Sequence, residues 1–177
     1  PKVFGVSVKE FEKGYRDFLK KIVEKELGGS SLTAPLTLAE LEKQYEADKE
    51  SPAKVAAFAE ALLKVRRRTQ AKELAEKAIE LNPKEPLAAV VLAQLQLLGR
   101  DLEDASEFLE AALDEAKPHK QVLGLLARVR LMQGNFKDAA RLFELGREKL
   151  GIGKSWLPGA DGWMKGLAAA YVKLGET

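Results

Sequence analysis

KQVLGLLARVRLMQGNFKDAARLFELGREKL, Lys120–Leu150, decides the fold. Leu123 and Leu126-Ala127 share one face of a helix, Gly134-Asn135 interrupts it, and Ala139 and Phe143 resume the helical spacing. The unit is a helix hairpin, and it is not alone. Ala127 repeats Ala93 and Ala59 at a step of 34 residues; Ala139 repeats Ala105 and Ala71, and Gly146 repeats Ala112 and Ala78, at the same step. Three small-residue ladders in one phase predict stacked helix pairs that cross closely at those positions, an all-α solenoid of antiparallel helix pairs.

Outward from the ladders, the first unit is expected over 52–85 with helices near 53–65 and 70–81, the second over 86–119, and the third over 120–150. Pro52, Pro83 and Pro86 mark starts and stops, and Gly99-Arg100-Asp101 marks the second unit's inner turn. On the N-terminal side, Thr37-Leu38-Ala39-Glu40 reads as a capping box opening a helix to about Ala47, so 32–51 is a capping helix. Ser7-Val8-Lys9-Glu10 is a second capping box. It precedes an apolar stripe of Val8, Phe11, Tyr15, Phe18, Leu19 and Ile22, and the polar run Gly28-Gly29-Ser30-Ser31 makes 1–29 a separate segment. Beyond Leu150 the phase breaks. Residues 151–160 read as a turn-rich insertion, and Leu167-Ala168 matches Leu126-Ala127 after 41 residues instead of 34, which makes 161–177 half a repeat. Such a half unit leaves an apolar face uncovered, so either the sequence is cut within the repeat or another chain, a second copy included, packs there.

These residues resemble the tetratricopeptide repeat. Its pattern is matched by Phe58-Ala59, Leu62, Ala71, Ala78 and Asn82-Pro83 in the first unit, and by Leu92-Ala93, Ala105, Leu109 and Ala112 in the second. Arg66 stands where the turn glycine is usual, and Gly99 lies one place early. The resemblance implies a right-handed α-α superhelix whose first helices line a concave face. Residues 6–19 also resemble the closing helix of bacterial peptidase-MA-like (gluzincin) domains. That likeness implies the non-catalytic tail of a larger bacterial protein, cytoplasmic or exported, and the opening on Pro1 suits an excised or processed piece.

The chemistry is sparse. One histidine, His119, is expected in a solvated inter-repeat turn, so the paired histidines of a zinc peptidase are missing, and no cysteine is available as nucleophile or ligand. The carboxylate pairs Glu12 with Asp17, Glu40 with Glu42 and Glu107 with Glu110 read as solvated helix faces, and no metal or cofactor is expected. The 29 basic residues nearly balance 27 acidic ones, which gives no electrostatic footprint for nucleic acid; Arg66-Arg67-Arg68 reads as a solvated turn. No window approaches the roughly 18 apolar residues of a membrane span. Partner binding is the expectation, on Glu60, Lys64, Gln94, Leu97, Leu98, Arg128, Met132, Lys165 and Lys173, with Leu97, Leu98 and Met132 as an apolar floor between cations. Ala56, Glu60 and Val91 depart from the lysines and asparagines with which one subclass of the resembled family grips a C-terminal carboxylate. Trp163 is expected to pack on the third unit, and Trp156 either to lie buried under the insertion or to mark a contact site.

Overall fold

Two compact units, 1–36 and 37–177, are visible in the computed structural model, which describes residues 2–3, 6–26, 36–151 and 160–175. In the first, a two-residue antiparallel ladder pairs β1 (Lys2–Val3) with β2 (Val6–Ser7) and leads into α1 (Val8–Glu26). The short ladder was not legible in the sequence. The Ser7 side chain, Trp156 and the Gly28-Gly29-Ser30-Ser31 run lie outside the described residues.

The second unit is a helical solenoid: α2 (Leu38–Ala47), α3 (Pro52–Lys64), α4 (Arg68–Leu81), α5 (Pro86–Leu98), α6 (Leu102–Ala111), α7 (Lys120–Met132), α8 (Phe136–Leu150) and α9 (Ala160–Gly175). Helices α3, α5 and α7 pair with α4, α6 and α8 respectively. Eight of the nine ladder residues are fully or almost fully removed from solvent as alanines, from Ala59 at 0% to Ala112 at 8%, and Gly146 is buried too. An alanine at each crossing brings the paired backbones together without losing side-chain entropy.

Helix α5 belongs to two cores. Ala88, Val91 and Leu92 pack with α3 and α4, while Ala89, Val90 and Ala93 pack with α6 to α9. Burial on both sides explains why its sequence, PLAAVVLAQLQLL, carries no polar stripe in its first two turns.

The three inner turns are alike. Residues 66, 100 and 134, again 34 apart, take positive φ of 64°, 63° and 80°. The next amide donates five residues back in each case, Arg67 N to Leu62 O, Asp101 N to Gln96 O and Asn135 N to Arg130 O. Only Gly134 suits that conformation. Gly99 is wasted at φ −82°, and Arg100 carries the strain instead.

Helix α6 stops at Ala111, a turn earlier than α4 does in its own unit. Asp114 Oδ1 accepts from the amides of Ala116 and Lys117 at 2.8 and 3.2 Å, an alternative to continued helix. This longer loop corrects the reading of His119. The histidine is half-buried as the residue preceding α7, with Nδ1 buried and unpaired, in a cleft shared with Lys84, Pro86 and Lys117.

Trp163 closes the C-terminal end. Its indole meets Phe143 edge-on at 5.3 Å between centroids, and its Nε1 donates to the Phe143 carbonyl at 2.8 Å. A Cβ on Gly146 would sit 2.0 Å from Trp163 Cζ2, so the departure from alanine in that ladder makes room for the ring. At the other end the capping box of α2 forms as read. Glu40 N donates to Thr37 Oγ1 at 3.3 Å and Thr37 N to Glu40 Oε2 at 2.7 Å, and the second bond holds the Glu40 carboxyl below the usual carboxylate range.

Three outcomes follow from this packing. Gly146→Ala, which restores the repeat's own preference, should destabilise by about 1 to 3 kcal/mol in denaturant unfolding, and less than additively with Trp163→Leu. Arg66→Gly and Arg100→Gly should each stabilise by about 0.5 to 1 kcal/mol, the left-handed strain relieved less the entropy of glycine. The Glu40 cap should be intact above the ordinary carboxylate pKa and lost as pH falls through the depressed folded value, read as faster exchange of the first α2 amides.

Candidate protein-binding groove

First helices touch along the stack, α3 with α5, α5 with α7 and α7 with α9, whereas no contact joins α4 with α6 or α6 with α8 among the described residues. A stack tight on one side and splayed on the other curves toward the tight side. The first helices therefore line the concave face, and α5 lies recessed in it. Gln121 Nε2 on α7 reaches Glu60 Oε1 on α3 at 3.1 Å, passing over the intervening helix. Glu60 also pairs with Lys64 at 3.0 Å.

The repeat step arranges this face in rows. Lys64, Leu98, Met132 and Lys173 form one, following the steps of 34, 34 and 41 residues, and Glu60, Gln94, Arg128 and Ala169 form the next. Leu98 and Met132 are large apolar side chains at 57% and 54% exposure, neighbours in the row and flanked by cationic positions. Gln94 and Arg128 are exposed beside them. Two of the anticipated residues sit elsewhere. Leu97 is half-buried and packs against the core shared by α6 to α9, and Lys165 follows the places of Val90 and Gly124, on an exposed part of α9 outside these rows. Gln121 was missed, although its step of 34 from Leu87 on the same face was available to find it.

The outer side is held by a polar clamp. Arg130 contacts Glu110 and donates to Gln133 Oε1 at 2.8 Å, while Gln133 Nε2 donates to the Leu102 carbonyl and to Ser106 Oγ at 3.2 and 3.3 Å. These bonds fix the third unit on the second, and so fix the spacing of Leu98 and Met132. The Arg66-Arg67-Arg68 turn is exposed, and Glu76 pairs with Lys72. Among the described residues no group of three His, Cys, Asp or Glu side chains is placed to hold a metal ion, and no helix is long and apolar enough to cross a membrane.

The comparisons agree with the geometry. The tetratricopeptide repeat family profile matches residues 62–129 and 100–151, which together span half of the chain and leave the N-terminal unit outside. No curated protein sequence matches the chain. With the 34-residue helix pairs, the three small-residue crossings and this match, the chain belongs to the tetratricopeptide repeat family.

Proposed function

We propose that the chain is a protein-interaction module that holds a peptide segment of a partner on the concave face of α3, α5 and α7. Repeats of this family generally mediate protein–protein interaction. The observation that carries the reading is the row Lys64, Leu98, Met132 and Lys173, where two exposed apolar side chains lie between cations on a preformed surface. Such a row suits an extended or helical segment with apolar residues and acidic neighbours, with Gln94 and Arg128 supplying polar contacts. The Glu60–Gln121 bond lies across the same face, so a bound segment either rests on it or displaces it.

A second reading concerns the N-terminal unit, which is separate from the solenoid and holds a helix where the likeness to a peptidase-MA closing helix falls. In that reading the solenoid is the non-catalytic tail of a larger bacterial protein and presents substrates or partners to it. A His-Glu-x-x-His helix encoded upstream of Pro1 supports this; its absence from the complete reading frame removes it.

The groove is tested with a displayed random peptide library selected on the full chain. Selected peptides should combine apolar residues with Asp or Glu. Leu98→Asp and Met132→Asp should each weaken binding at least tenfold, roughly 1.4 kcal/mol, with unchanged circular dichroism. Peptides that bind both variants as well as the parent chain would refute the groove.

A further inference from the structure

The charged side chains of the concave face are not equally free. On the α3 side Glu60 is half-buried, accepts from Gln121 and pairs with Lys64 at 3.0 Å, so acid and base satisfy one another within the fold. On α7 Arg128 is exposed, and among the described residues it has neither an acid partner nor a hydrogen bond. It stands one helical turn before Met132, which makes the two side chains surface neighbours. Leu98 and Met132 belong to interior helices, with α3 against α5 and α9 against α7, so their exposure does not come from an end of the stack. Toward the helix starts the face is closed. Val90 and Val91 lie between Leu87 and Gln94, the α5 places that correspond to Gln121 and Glu60, and are 1% and 0% exposed.

Leu98 and Met132 hold the same place on neighbouring first helices, and the axes of packed helices lie about 8 to 10 Å apart. The concave side is the shorter side of the curve, and Gln121 on α7 reaches Glu60 on α3 at 3.1 Å. A segment seating one side chain on each has to return to the same face within that short span. A polyproline-type segment does so every three residues, at about 9 Å. A strand returns at about 6.6 or 13 Å, and a helix at about 5 to 6 or 10.5 Å. We infer that the groove takes an extended, polyproline-type segment with two apolar residues three places apart, seated on Leu98 and Met132, and an acidic residue beside the second, held by Arg128. The inference rests on the concave face being the binding surface. Lys64, already paired with Glu60, takes little part in choosing the charge of the partner.

The probe is an end-blocked peptide in which two leucines are separated by two prolines, with a glutamate outside each leucine so that either chain direction can bind. Titrated into the isotope-labelled full chain, it should give saturating amide shifts in 94–98 and 128–132. Removing or adding one proline between the leucines should weaken binding at least tenfold, because proline fixes the backbone and the register is lost. Lysine in place of both glutamates should also weaken it at least tenfold. Arg128→Glu should reverse that preference, whereas Lys64→Gln should change neither affinity by more than roughly twofold. Arg128 is exposed, so circular dichroism of Arg128→Glu should match the parent. Absence of saturation, equal binding at every spacing, an unreversed charge preference, or a loss through Lys64→Gln as large as through Arg128→Gln would overturn the inference. The groove itself fails differently. Library-selected peptides that ignore Leu98→Asp and Met132→Asp remove the groove and this inference with it; selected peptides that need both side chains but carry their apolar anchors at another spacing remove this inference alone.

Discussion

Close approach of paired helices, enforced by alanine at Ala59, Ala93 and Ala127 against Ala71, Ala105 and Ala139, is the constraint on which the rest depends. Dispersion falls off steeply with separation, so a crossing that admits only a methyl group gains contact along the whole helix pair and rejects larger side chains. Once the pairs are fixed, the first helices meet their neighbours and the second helices do not. Curvature, the recessed α5 and the row of Leu98 and Met132 are consequences of that one spacing. The groove is thus assembled by residues that never touch its surface.

Much of this was legible because it is periodic. The ladders, the bounds of α2 and the turns at residues 66, 100 and 134 follow from a fixed step and local capping chemistry. What was not legible depends on neighbours remote in sequence or on competition within a turn. Gly146 reads as an imperfect alanine until Trp163 is placed 2.0 Å from its absent Cβ. Gly99 reads as the turn glycine, yet the backbone puts the left-handed residue at Arg100. The early end of α6 is set by Asp114 capturing two amides, and it draws His119 into partial burial. In the groove, helical phase placed Leu98, Met132, Gln94 and Arg128 on one exposed face. It could not show that Leu97 turns into the core or that Gln121 bridges to Glu60 over a third helix, because both depend on curvature that no single unit encodes.

The concave rows are mixed, with cations framing an apolar centre, and suit a segment recognised by side-chain character.

Amide hydrogen exchange of the full chain, with and without a peptide selected for binding to it, tests the central claim most directly. If the concave face of the stacked first helices is the binding surface, protection should rise in 94–98 and 128–132 and leave α4, α6 and α8 unaltered. Protection confined to α4, α6 and α8, with 94–98 and 128–132 unchanged, would contradict it.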